Sequence, residues 1–152
     1  MTTPVSNTLG EPGPSPISRE ELLDILNELL EAERAGARVA METGREITDT
    51  QLAALVQDIQ KDEVRWCGML MRSITTLEAT PSSVTGAFWD KAMAIPNLEQ
   101  RLTFLNRGQA WVVRKLQALI PRISEATLRN NLTAMLEAHN TNIERVEVQS
   151  AR

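Results

Sequence analysis

Four polar side chains that can bind metals or carry protons interrupt apolar helical patterns in this chain. Glu33, Glu63, Gln109 and His139 each stand where a spacing of three and four residues places the apolar neighbours on one buried face. Isolated carboxylates are costly inside an apolar core, so the two glutamates require a cation, a proton or hydrogen-bond partners. His139, the only histidine of the sequence, can act as that partner or as a further metal ligand.

Four long amphipathic segments position these side chains. The later prolines, Pro81, Pro96 and Pro121, fall between the segments, as expected of a residue that is excluded from helix interiors. The predicted helices and their N-terminal caps are 18 to about 44 with Ser18, 48 to about 77 with Thr48, 97 to about 120 with Asn97, and 124 to about 147 with Ser124. Each polar residue then lies near the middle of its helix, so we expect the four to meet in one layer.

Unequal connections predict the topology. Three or four residues join the first helix to the second and the third to the fourth, whereas about nineteen separate Leu77 from Asn97. With a short helix over 86–93, that middle segment can span about 45 Å, roughly the length of the second helix. We therefore expect an all-α, four-helix bundle with one long crossover between helices two and three.

The domain organisation follows from composition. Residues 1–17, rich in proline and glycine, are predicted to form a flexible N-terminal arm. Residues 18–147 form the bundle, and 148–152 form a C-terminal tail.

At the polar positions the chain resembles the ferritin-like superfamily. Members place a glutamate from each of two helices and a Glu-x-x-His pair from each of the other two around two irons. Glu33 in LNELLEAERAG matches the glutamate of the first helix, and Glu63 in KDEVRW matches the glutamate of the second. The phrases LLEAERAG, DEVRWC, LNRGQAW and HNTNIERVE are also similar to an uncharacterised bacterial family of ferritin-like proteins with no assigned function.

The remaining positions depart from the superfamily pattern. Trp66 stands at the second-helix histidine, and Gln109 in FLNRGQAW stands at the third-helix glutamate. The fourth helix reads His139-x-x-Asn142, and if the family histidine aligns with His139 instead, Leu136 replaces the glutamate. Two carboxylates and one imidazole are too few for two irons, which the resemblance would supply with four carboxylates and two imidazoles.

Two functional hypotheses remain. In the first, Glu33, Glu63 and His139 bind one divalent ion, iron, zinc or manganese, and the protein is a candidate oxidoreductase. Gln109, Asn142 and Trp66 would then form a further shell around the metal site. In the second, no metal is bound: His139 lies between the two glutamates, and the further-shell side chains satisfy the remaining lone pairs. The protein would then be a non-enzymatic interaction or scaffold protein.

Composition restricts the partners and the compartment. A net charge of −4 and a pI near 5.1 argue against nucleic acid and anionic membranes, since both require a basic face. No apolar run approaches the ~20 residues of a membrane span. The single cysteine, Cys67, is typical of a reducing compartment. We expect a homodimeric, cytoplasmic bacterial protein, and the sequence leaves any small-molecule substrate open.

Two smaller features bear on the site. Gly36, Gly68 and Gly108 lie inside predicted helices, where glycine lowers stability, so they are expected to mark close helix approach or a pocket beside the polar layer. Phe88 and Trp89 lie in the crossover and are expected to seal it onto the bundle, with a dimer contact as the alternative.

Overall fold

The computed structural model describes residues 15–151, so most of the arm predicted over residues 1–17 lies outside the described residues. The described part is all-helical and contains no strand, which confirms the all-α class. Its α-helices are α1 (Arg19–Glu46), α2 (Thr50–Thr76), α3 (Phe88–Met93), α4 (Leu98–Leu119) and α5 (Ala126–Ser150), and a 3₁₀ turn (Ile120–Arg122) follows α4. None of the described helices has the length and apolar character that crossing a membrane demands.

Two of the four predicted helix caps are confirmed. Ser18 accepts a hydrogen bond from the Glu21 amide at 3.1 Å, and Asn97 accepts one from the Gln100 amide at 2.9 Å. The reciprocal half of the capping box at Ser18 is absent, because the Glu21 carboxylate binds the Arg122 guanidinium instead.

The other two predicted caps are wrong by one residue. Asp49, not Thr48, caps α2 by accepting from the Leu52 amide, and Glu125, not Ser124, caps α5. Carboxylates at these positions both accept hydrogen bonds from free amides and face the positive end of the helix dipole.

Some helix boundaries also differ from the prediction. Helix α1 extends to Glu46 rather than ending near Gly44, and α3 begins at Phe88 rather than Gly86. Helix α5 continues to Ser150, so most of the predicted tail belongs to the last helix.

Ion pairs at the helix ends show the directions of α1 and α4. Arg122, just after α4, pairs with Glu21 at the start of α1, and Arg101 near the start of α4 pairs with Glu46 at the end of α1. The two helices are neighbours and run in opposite directions.

The same argument orients α2 and α5. Arg145 near the end of α5 pairs with Asp58 near the start of α2 at 3.0 Å, so these neighbours are also antiparallel. Since α1 and α2 form one hairpin and α4 and α5 the other, α2 and α4 run parallel. The segment from 77 to 97 must therefore return along the length of the bundle.

Specific contacts hold this crossover against the bundle. Arg34 of α1 donates hydrogen bonds to the carbonyls of Val84 and Ser82, at 2.6 and 2.8 Å. Phe88 stacks on Phe104 of α4, with ring centroids 5.0 Å apart. Trp89 lies beneath the Arg38 guanidinium and packs against the core, so the predicted seal is confirmed.

The polar residues divide the core into two apolar clusters. The first contains Leu26, Leu70 and Leu132, and the second contains Val39, Ile59 and Leu105. Most positions that share the face of these polar residues at three- and four-residue spacing are buried. Four of them, near helix ends, are half-buried: Leu52, Ser73, Leu77 and Leu98.

Candidate functional site

Each long helix contributes one of the predicted polar residues to a single buried layer. Glu33 on α1, Glu63 on α2, Gln109 on α4 and His139 on α5 are 1, 4, 3 and 2% exposed. They lie between the two apolar clusters, so the polar positions inferred from spacing are confirmed as buried.

Glu33 and His139 form the central ion pair of this layer. His139 Nε2 donates to Glu33 Oε1 at 2.6 Å, and Nδ1 donates to the Met135 carbonyl at 2.8 Å. The Met135 carbonyl can only accept, so Nδ1 carries a proton, and an imidazolium is the form of the ring that also donates from Nε2 to a carboxylate.

Opposing influences act on the proton of His139. Burial of the ring lowers its pKa, but the Glu33 charge and hydrogen bond, the Met135 carbonyl and the Asp62 charge together raise the pKa above its ordinary value. This environment therefore favours the charged form of the ring.

Glu63 has no comparable partner. Its Oε2 atom is buried and receives no hydrogen bond from the described residues, and the carboxyl group does not bond to His139. Burial, and then the charges of Glu33 and Asp62, raise the Glu63 pKa well above its ordinary value. The layer therefore contains a second carboxyl group for which it provides no counter-charge.

Gly36 makes room for the Glu63 carboxyl. A Cβ built at Gly36 would lie 2.9 Å from Glu63 Cδ, closer than carbon atoms in van der Waals contact. This glycine therefore marks a close approach beside the polar layer, as predicted. Gly68 does not, because its added Cβ would meet only the mobile end of Arg72.

Among the described residues, no hydrogen bond links Gln109, Asn142 or Trp66 to either glutamate. Gln109 donates to Asn106 at 3.3 Å, and Asn142 donates to Asp62 at 2.9 Å. The indole nitrogen of Trp66 is buried without a partner among the described residues. The prediction that these three side chains satisfy the glutamates is therefore wrong.

Sequence reasoning missed Asp62 and Asn106. Both are half-buried: Asp62 accepts a hydrogen bond from Asn142, and Asn106 accepts one from Gln109. The available signal in the sequence was their closeness to Glu63 and Gln109, one and three residues earlier. A half-buried position at the edge of a helix face has no distinctive spacing that would single it out.

The donor set has the chemistry of a cation site, although it is not assembled as one. Within residues 15–151, no three histidine, cysteine, aspartate or glutamate side chains are grouped so that they could hold a metal ion. However, His139 bonds a backbone carbonyl through Nδ1, as metal-binding histidines do, and this directs Nε2 into the layer. Glu33 Oε2 and Glu63 Oε2 are both buried and unpartnered among the described residues.

A cleft of about 560 Å³ opens onto this layer between α1, α4 and the start of α3. Its deep end is formed by Glu33, Glu63, Gln109 and His139, the residues of the polar layer. Gly108 also lines the cleft, and a Cβ there would lie 2.9 Å from the Phe88 ring. Gly108 therefore also marks a close approach, here between the start of α3 and α4, as predicted.

Cys67 is not suited to a nucleophilic role. It is half-buried, and burial with the nearby charges of Glu33 and Glu63 raises the pKa of its thiol to about 12. A thiol that stays protonated is a poor nucleophile and a poor metal ligand.

The fold and the site define an all-α protein with four long helices around a buried layer of ionisable side chains that a solvent-facing cleft reaches. Residues 20–148 match a family model described as a domain of unknown function (DUF6306), and the chain belongs to this family. No curated protein matches the chain.

Proposed function

We propose that this protein is a ferritin-like four-helix bundle with a reduced di-iron-type site that binds one divalent metal ion. The helix directions support the ferritin-like assignment, since two antiparallel hairpins joined by a lengthwise crossover form that arrangement. One polar side chain from each helix at a common depth supports the assignment of the site.

The observation that carries the proposal is the pair of unpartnered buried oxygens, Glu33 Oε2 and Glu63 Oε2. Buried polar atoms in folded proteins are normally hydrogen-bonded, and exceptions often mark the place of an ion or water. The layer contains two carboxyl groups and one imidazole, so one bound cation would give both unpartnered oxygens a partner.

Glu33, Glu63 and His139 would hold the ion, and Gln109 could add an amide oxygen. Binding requires His139 Nε2 to release its proton and its hydrogen bond to Glu33, and it requires the Glu63 carboxyl to release its proton, while Nδ1 keeps the Met135 carbonyl. Iron, manganese and zinc all accept carboxylate and imidazole ligands. Any of them, when bound, would supply a Lewis acid that could activate water or an oxidant. The protein is therefore a candidate oxidoreductase, with the cleft as the route for a small substrate.

A second ion is excluded from the proposal by the ligand count. The Trp66 indole cannot bind a metal, and it stands where the superfamily has a histidine. Gln109 likewise replaces an anionic ligand with a neutral one.

Elemental analysis of protein purified without a chelating tag tests the proposal. We expect close to one equivalent of iron, manganese or zinc, and its loss in Glu63→Gln. Glu28→Gln, at the outer end of the same cleft, is the matched control and should retain the metal. A wild-type protein that stays metal-free after incubation with each ion at neutral pH would refute the single-metal site.

The Glu33–His139 bond favours a second candidate function. A carboxylate and an imidazolium already satisfy each other at 2.6 Å, so a metal-free layer needs only a proton on Glu63. The protein would then be a helical interaction or scaffold protein. In this case no metal is found, and the Glu63→Gln variant is expected to remain folded and to keep binding the same protein partners as wild type.

We also propose a homodimeric protein of the cytoplasm. The single cysteine supports a reducing compartment. Sedimentation equilibrium at micromolar concentration tests the dimer, which a monomeric mass would exclude.

A further inference from the structure

The cleft has features that a metal site alone does not require. Apolar side chains form part of its lining, among them Phe88, Phe104, Trp111 and Val112. A volume of about 560 Å³ is far larger than one ion, and it lies within the usual range for small-molecule pockets, roughly 300–1,000 Å³.

Unpaired cations surround the mouth of the cleft. Lys91, Arg107 and Arg114 are exposed, line the cleft, and have no hydrogen bond or ion pair with any residue from 15 to 151. Two carboxylates share this rim, but Glu28 is neutralised by Lys115 at 3.1 Å, which leaves Glu31. The mouth is therefore locally positive in a chain whose net charge is −4.

The deep end has the opposite character. Glu33 and Glu63 place two carboxyl groups there, and they disfavour a second anion in the layer. An anionic ligand would therefore keep its charge at the mouth and direct its apolar part inward.

We propose that the cleft binds a small organic acid with an apolar body. Its carboxylate pairs with Arg107, Arg114 and Lys91, and its body lies against Phe88, Phe104 and Trp111. This site goes beyond the proposed cation site and does not require the metal, because its charge contacts lie at the rim.

Three probes of the same length test the proposal on metal-free protein. Isothermal titration with octanoate, octylamine and octanol compares an acid, an amine and an alcohol that share one apolar chain. We expect octanoate to bind at least tenfold more tightly than the other two. Equal or tighter binding of octylamine would assign the cleft to cations instead, and absence of binding by all three would overturn the proposal.

Variants locate the charge contacts. Replacing Arg107 and Arg114 together by glutamine should weaken octanoate binding at least tenfold, whereas Arg45→Gln, an exposed arginine at the far end of α1, should leave it unchanged. Octanoate should also quench Trp111 fluorescence, and the quenching should disappear in Trp111→Phe. Unchanged octanoate affinity in the double variant would rule out the rim contacts.

Two further measurements separate this site from the metal site and from misfolding. Glu63→Gln should lose metal and keep octanoate binding, so either proposal can fail alone. If the double arginine variant lacks a cooperative melting transition, the exposed Lys91→Gln variant tests the same charge, and a normal octanoate affinity there would count against the proposal.

Discussion

At the scale of single residues, the buried layer contains one ion pair, Glu33 with His139, and a second carboxyl group, Glu63, that has no charged partner among residues 15–151. His139 pairs with Glu33, and the hydrogen bond from Nδ1 to the Met135 carbonyl fixes the orientation of the His139 ring. A buried ion pair adds little net stability, but removal of one partner leaves an uncompensated charge.

His139→Leu should therefore destabilise the metal-free protein by about 3–5 kcal/mol. Loss of the imidazolium leaves the 1% exposed Glu33 carboxylate without a partner. Urea unfolding monitored by circular dichroism measures the change. Glu33→Met combined with His139→Leu should recover most of the loss, and an unchanged midpoint in the single variant would contradict the buried pair.

Glu63 should make the metal-free protein less stable as pH rises. Its folded-state pKa lies well above its ordinary value of 4.5, because of burial and the charges of Glu33 and Asp62. The folded state thus holds a proton on Glu63 that the unfolded chain releases. The stability contributed by this proton is fully present below about pH 4.5, and it is lost as pH rises through the folded-state pKa of Glu63. The raised pKa of His139 acts with the same sign above pH 6.5.

Glu63→Gln removes part of this dependence. Because a tenfold change in proton affinity is worth about 1.4 kcal/mol, the variant should be more stable than wild type by about 1 kcal/mol or more at pH 8 and similar to it at pH 5. Thermal unfolding of both proteins at the two pH values measures this. Parallel pH profiles would show that Glu63 is already ionised in the folded protein.

At the scale of elements, two glycines shape the site by what they omit. Gly36 admits the Glu63 carboxyl against α1, and Gly108 admits the Phe88 ring against α4. Neither has a positive φ, so packing and not backbone conformation requires glycine at these helical positions.

Gly36→Ala should destabilise the protein, although alanine is the better helix former. The gain of about 1 kcal/mol in propensity is outweighed because the carboxyl of Glu63 must move. Gly68→Ala is the matched control in α2 and should raise stability, since only the Arg72 end gives way. Glu63→Ala should rescue Gly36→Ala; a Gly36→Ala variant as stable as Gly68→Ala would show that the carboxyl is mobile.

At the scale of the whole molecule, the crossover closes one wall of the cleft. Helix α3 contributes Phe88 and Lys91, and its position depends on the preceding segment being held to α1. Arg34 makes that connection through two backbone carbonyls.

Arg34→Ala should release the crossover without unfolding the bundle. Loss of the two hydrogen bonds is expected to cost about 1–3 kcal/mol locally, and amide exchange over 82–88 should accelerate. Hydrogen exchange with mass spectrometry resolves this segment from α1. Arg45→Ala is the control, and equal protection in both variants would argue that the aromatic contacts and the hydrogen bond from the Ser82 amide to Asn27 hold the crossover without Arg34.

The sequence by itself determined the all-α class, the buried seams and the depth of the polar layer. These depend on helical periodicity, proline positions and loop lengths, which are local properties of the chain. Glu33, Glu63, Gln109 and His139 were therefore found by spacing alone. Cap positions were not determined in the same way, since aspartate and threonine are both common caps and only the final geometry selects Asp49 over Thr48.

Only the tertiary structure decided which polar atoms bond within that layer. Spacing places His139 and two glutamates at one depth, but it does not reveal that the imidazole bonds Glu33 and not Glu63, or that Asn142 bonds Asp62. Those choices depend on distances of a few ångströms between helices. The cleft and its positive mouth arise in the same way, because residues of α1, the crossover and α4 meet only after the chain has returned along the bundle.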